Sequence, residues 1–170
     1  MLIPTERERG SPTTEGKYEG GVILDAVTGY YQEPCAVLDF ASLYPSIMQA
    51  HNLCYSTIIP SYRIKDYSES EMNKTPQGDY FIKREVYKGV LPIILEDLVA
   101  QRKKVKEILK DATDPFDKII LESRQQALKL SANSVYGFTG ASVGQLPCLA
   151  IAASVTAYGR KILDMTQTLI

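Results

Sequence analysis

The chain has 170 residues, 45% of them hydrophobic, with a net charge of −1 and a pI near 5.9. That is enough apolar content for one packed domain, with two lobes as the alternative, and too little positive charge for a global field that gathers nucleic acid. Three scattered cysteines without C-x-x-C spacing indicate neither a disulfide framework nor a zinc site; the single histidine, His51, rules out a His-based triad within these residues; no apolar run reaches the ~18–20 residues of a membrane span.

The lead-in over residues 1–21 is polar and glycine-bearing, which predicts a loose segment, and it is too charged for a signal peptide. Val22-Ile23-Leu24 and Tyr30-Tyr31, on either side of Thr28-Gly29, read as short strands around a turn. Ala36 to Phe40 is an apolar run of strand length, predicted as a central strand buried on both faces. Ser42 suits a helix N-cap and Pro45 fits the first turn, so a helix is expected onward to about Leu53. Residues 60–92 are polar and proline-bearing, an irregular excursion whose Gln77-Gly78-Asp79 turn precedes a short hairpin strand at Tyr80-Phe81-Ile82. From Ile93 to Lys110 the residues Ile94, Leu98, Val105 and Leu109 share one helical face. Asp114-Pro115 starts a second helix, with Asp117 in its first turn, predicted to stop at Gly137 in a left-handed cap. The two form a long antiparallel hairpin. A turn region from Gly140 to Pro147 and an Ala/Ile/Val-rich helix toward Leu169 complete the chain.

Two segments carry chemistry. In the first, Asp39 ends the apolar run just before the helix start. A buried carboxylate needs a partner, and Mg²⁺ accepts one or two carboxylates together with substrate phosphates. The unpaired N–H groups of the helix's first turn, at Ser42, Leu43 and Tyr44, would bind an anion beside it. Alone, Asp39 reads better as an N-cap or strand-end aspartate without catalytic use, and Tyr44 equally well as a core aromatic. In the second segment Lys129, Asn133 and Tyr136 fall at i, i+4 and i+7, on one helix face and about 6 Å apart per turn, a spacing that suits successive phosphates. Between the two lies a basic run, Arg102 to Lys110, with five cations and one acid. Such a run is usually a solvated face. Arg102 and Lys106, however, flank the apolar seam at i, i+4 and can point across the hairpin at a shared anion, while Lys103, Lys104 and Lys110 face solvent.

Asp39-Phe40-Ala41-Ser42-Leu43-Tyr44-Pro45-Ser46-Ile47 and Lys129 through Asn133-Ser134-Val135-Tyr136-Gly137 resemble the first palm motif and the fingers motif of family B DNA polymerases. Further strings, among them His51-Asn52-Leu53-Cys54-Tyr55, Lys88 to Pro92 and Phe138-Thr139-Gly140, are similar to the replicative, delta-type branch, which includes relatives in large DNA viruses. The resemblance covers roughly residues 18–165. It implies an α/β (α+β) fold: part of a palm sheet bearing a long helical-hairpin fingers subdomain. The corresponding divisions are 1–59 for the N-terminal part of the palm, 60–92 for the excursion, 93–137 for the fingers and 138–170 for the return into the palm. It implies nucleotidyl transfer from a dNTP to a primer 3′-OH by a two-metal mechanism, with Asp39 as catalytic metal ligand and two Mg²⁺ in the complete enzyme. Ser42, Leu43, Tyr44, Arg102, Lys106, Lys129 and Asn133 would bind the nucleotide, with Tyr44 beneath the sugar. Tyr136 and Gly137 would lie against the nascent base pair. The partners implied are primer–template DNA, dNTPs and accessory polymerase subunits, with no membrane. The location implied is the nucleus for a cellular enzyme, or the host cell for a viral one. A second metal aspartate, exonuclease carboxylates and a thumb are not among these residues, so the expectation is a fragment inactive alone. A non-catalytic nucleotide- or DNA-binding module, or a helical hairpin serving protein contacts, are the readings from other classes.

Overall fold

In the computed structural model the described residues are 19–140 and 146–170. Most of the lead-in and most of the expected turn region after Gly140 lie outside them. The chain is a mixed helical and antiparallel-sheet fold. Its elements in order are α1 (Leu43–Ala50), β1 (Ile58–Ile59), a 3₁₀ turn (Ser61–Asp66), β2 (Met72–Lys74), β3 (Tyr80–Ile82), α2 (Val90–Asp111), α3 (Pro115–Gly140) and α4 (Leu149–Leu169). The sheet has three strands in the order β1-β3-β2, both pairs antiparallel, with Ile58 opposite Phe81 and Asn73 opposite Phe81 on its other side. The hairpin turn closes where expected. Gly78 takes φ 97°, which glycine adopts without steric cost, and its N–H donates to the Thr75 carbonyl at 2.9 Å.

The helical hairpin of α2 and α3 is the longest feature. Asp114 caps α3 by accepting the Phe116 N–H at 3.3 Å, with Pro115 in the first helical position as its sequence predicts. The packed stripe of α2 contains Leu95 and Val105, both buried, with Leu91 and Leu98 against the core. Ile94, expected on that stripe, is 44% exposed and faces an apolar pocket beside Val135 and Phe138. Leu95 wins because it lies in line with Leu91 and Leu98, so one continuous ridge is buried. Below the hairpin, α1, α2, α3 and α4 meet in a core around Met48, Leu53, Phe81, Leu95, Ile151 and Val155.

Further sequence expectations are corrected. Residues 22–24, 30–31 and 36–40 form no strand, and Val37 and Leu38 are 91% and 71% exposed. A strand exists only through its neighbours' hydrogen bonds, and among the described residues none lies beside these segments. Ser42 occupies the N-cap position with φ 52° and ψ 50°, but its hydroxyl makes no capping bond; only its carbonyl accepts the Ser46 N–H, at 2.9 Å. Gly137 does not end α3. The helix continues to Gly140, and among the described glycines positive φ belongs to Gly78. The interior hydrogen bonds continued from Asn133 through Thr139 outweigh a glycine's weak helix propensity.

Helix α1 stops at Ala50 rather than Leu53 for a local reason. Asn52 takes the left-handed φ of 54°, and the Leu53 N–H turns back to the Met48 carbonyl at 3.0 Å. The fully buried Asn52 side chain then joins three segments. Its amide donates to the Ile82 and Tyr87 carbonyls, both at 2.8 Å, and its oxygen accepts the Gly89 N–H at 2.8 Å. A Cβ on Gly89 would stand 2.7 Å from Cys54 Cβ, so the chain passes there only as glycine. Glu96 adds a clasp on the same root, pairing with Arg84 at 2.8 Å and with Lys88. The Lys88 hydrogen bond, with the help of Arg84, holds its carboxyl below the usual glutamate range.

Candidate active site

One cleft of about 610 Å³ opens between the start of α1 and the inner face of the α2–α3 hairpin. Asp39 and Ser42 to Tyr44 line it from the α1 side, Arg102 and Lys106 from α2, and Lys129, Asn133 and Tyr136 from α3. These are the sequence-predicted site residues except Gly137, which lies on α3 outside the lining with nothing within 4 Å of where its Cβ would be. Residues 90 positions apart in the chain thus face one space, because α2 and α3 run antiparallel and both pack on α1.

The cleft is electrically unbalanced. Three cations, Arg102, Lys106 and Lys129, face one acid, Asp39. Among the described residues the side chains of Asp39, Lys106, Lys129 and Asn133 have no hydrogen-bond or ion-pair partner. The N–H groups of Leu43 and Tyr44, in the first turn of α1, have no intrahelical acceptor and add positive potential. The left-handed Ser42 leaves those groups open, since its hydroxyl does not cap them. Such a set has the chemistry to receive a multiply charged anion, and a carboxylate such as Asp39 can share a cation with one. Among the described residues no group of three or more His, Cys, Asp or Glu side chains is gathered into a metal cage.

Arg102 is the one cation held from behind. Its Nε–H donates to the Oε1 of Gln125 on α3 at 3.2 Å. Lys103, Lys104 and Lys110 are exposed on the outer face of α2, as the helical wheel predicts. The aromatic wall is equally definite. The rings of Tyr44 and Tyr136 lie with centroids 4.5 Å apart, tilted by 42°. The Tyr44 hydroxyl stands 2.9 Å from where a Cβ of Gly21 would be, and its ring edge packs 3.6 Å from the same point on Gly159. Tyr44 is thus backed by a second ring and two glycines, with little freedom to turn.

Sequence reasoning missed two residues. Asn52, which sets the root of the hairpin, was signalled by an Asn just past a helix end, a common left-handed stop. Gln125 carried no local signal, because a polar residue inside a helix is ordinarily solvated.

All of residues 1–170 match the sequence profile of DNA polymerase family B. The chain belongs to that family. It is 53% identical over its whole length to the DNA polymerase delta catalytic subunit of Schizosaccharomyces pombe and 51% identical to that of Arabidopsis thaliana. The Candida albicans delta subunit is 53% identical over 98% of the chain. Its likeness is therefore to the delta-type branch. The chain spans about 16% of the length of these relatives. In three dimensions it superimposes on the family B DNA polymerase of the hyperthermophilic archaeon Pyrobaculum calidifontis with a TM-score of 0.64 and 33% identity, covering 77% of this chain and 17% of that one. Among the described residues no helix is long and apolar enough to cross a membrane.

Proposed function

We propose that this segment of a family B polymerase forms the dNTP-binding half of a DNA-directed DNA polymerase active site, transferring a nucleotide to a primer 3′-OH on a DNA template. One observation carries the reading: the partnerless Asp39, Lys106, Lys129 and Asn133 converge with Arg102 and the open start of α1 on a single cleft. Arg102 and Lys106 from one side and Lys129 and Asn133 from the other donate to the triphosphate. Their positions are fixed by two long helices, so little reorganisation accompanies the build-up of phosphoryl charge. The first-turn N–H groups of α1 take up a further phosphate oxygen. Tyr44 lies beneath the sugar. Asp39 would hold Mg²⁺; one carboxylate fits that ion when triphosphate oxygens complete its shell, and the bound ion neutralises charge on those oxygens. Among the described residues the cleft holds no second carboxylate of the kind a two-metal site requires. Kinship with delta subunits of nucleated organisms supports action in the nucleus, on primer–template DNA and with accessory subunits.

The test is single-nucleotide incorporation by a full-length catalytic subunit carrying this segment. Each charge-assisted hydrogen bond is worth about 1.5–3 kcal/mol, so Lys129→Ala or Asn133→Ala should raise the dNTP requirement roughly 10- to 100-fold. Primer–template affinity should stay nearly constant. Loss of DNA binding by Lys129→Ala with unaltered dNTP affinity would assign α3 to the duplex instead.

A further inference from the structure

Gln125 is an anomaly of its helix: a polar residue only 7% exposed, on the inner face of α3, on neither motif and outside the cleft lining. A buried amide must be bonded at both ends, and this one is. Its Oε1 accepts the Arg102 Nε–H at 3.2 Å, and its Nε2 donates to Glu122 Oε1 at 2.6 Å. Chemistry fixes the sense of the amide. A guanidinium only donates, so the atom facing Arg102 is the oxygen; a carboxylate only accepts, so the atom facing Glu122 is the nitrogen.

Two properties follow for Arg102. Bonding through Nε leaves both Nη groups free, and among the described residues they bond to nothing. They form the fork that takes two oxygens of an anion at once. The acceptor behind the arginine is also neutral. A carboxylate there would orient the side chain equally well but would neutralise part of its charge. Glutamine orients without neutralising.

We propose that Gln125 is a positioning residue for the incoming nucleotide, holding Arg102 by its Nε so that the Nη fork meets the triphosphate at full charge, with Glu122 setting the amide's sense. This rests on the cleft being the nucleotide site. The substitution Gln125→Met keeps the length and shape of the side chain and removes the acceptor. In the full-length subunit carrying this segment it should raise the dNTP concentration for half-maximal incorporation about 3- to 10-fold, with the maximal rate and primer–template affinity within twofold of the parent. Gln125→Glu keeps the bond to Arg102, yet should raise the same parameter, because the arginine is then paired within the protein. In an Arg102→Ala background, Gln125→Met should add no more than about twofold. If Arg102→Ala raises the dNTP requirement while Gln125→Met does not, the positioning role is refuted and the nucleotide site stands. A Gln125→Glu enzyme with parental dNTP affinity, or a Gln125→Met defect that persists in full without Arg102, refutes it as well. If Arg102→Ala itself has no effect on dNTP use, the site reading fails first.

Discussion

Asp39 and Tyr44 sit five positions apart on one wall of the cleft, yet they should fail in different ways. Asp39 is the one acid among the described residues that line it. Asp39→Ala should cost several orders of magnitude in the chemical step while DNA binding persists, since a carboxylate contributes nothing favourable to phosphate contacts. Tyr44 is an immobilised ring, backed by Tyr136 at 4.5 Å and crowded by Gly21 and Gly159. Tyr44→Ala should retain substantial dNTP incorporation and lose discrimination against ribonucleotides. Pre-steady-state incorporation of a dNTP and the matching rNTP measures both; parental sugar selectivity in Tyr44→Ala would reduce the residue to packing. The lining residues were legible because their two motifs resemble those of family B polymerases, with helical spacing placing Lys129, Asn133 and Tyr136 on one face. Gln125 and Asn52 were not, because their importance lies in partners 23 to 37 positions away.

At the scale of elements, Gly137 gives a prediction with two separable arms. It lies inside α3 with helical backbone, and a Cβ there meets nothing within 4 Å. Alanine relieves the entropy of an interior glycine, so Gly137→Ala should stabilise the protein by about 0.5–1 kcal/mol. If the nascent base pair lies against this position, the same methyl should slow incorporation, and stability and activity will move in opposite directions. Denaturant melts and incorporation rates on one variant decide it; unchanged incorporation would remove Gly137 from the site. The helices were readable because each carries its own evidence in periodicity, Asp114-Pro115 and a seam of Leu and Val. The strands expected over 22–24, 30–31 and 36–40 were not, because an apolar run names a burial requirement and not the neighbour that meets it. The short hairpin was read from its turn chemistry at Gly78, a local signal.

Across the whole molecule, α1 and α4 are pinned by a stacked pair, His51 on Tyr158, with rings 3.6 Å apart and 7° from parallel. Burial, aided by the charge of Lys161, pushes the His51 pKa below its ordinary 6.5. The unfolded chain therefore takes up a proton at a higher pH than the folded one. The stability from this pair is complete above about pH 6.5 and is lost as the pH falls through the lower folded value. Chemical denaturation midpoints should begin to decline as the pH falls below about 7, before unperturbed carboxylates start to titrate. His51→Phe, which keeps the stack and cannot titrate, should flatten that slope. An equally steep slope in the variant would place the sensitivity elsewhere.

The buried Asn52 knot has a mechanical consequence. The α2–α3 hairpin is a beam clamped at one end, where Asn52 grips Gly89 beside the first residue of α2. Arg102 rides on that beam about 20 Å from the clamp, at 1.5 Å of rise per residue. A tilt of about 10° at the root sweeps the guanidinium sideways by roughly 3.5 Å, longer than a hydrogen bond. If the cleft is the nucleotide site, ångström placement of the Arg102 guanidinium depends in part on three hydrogen bonds of one amide that lies outside the cleft.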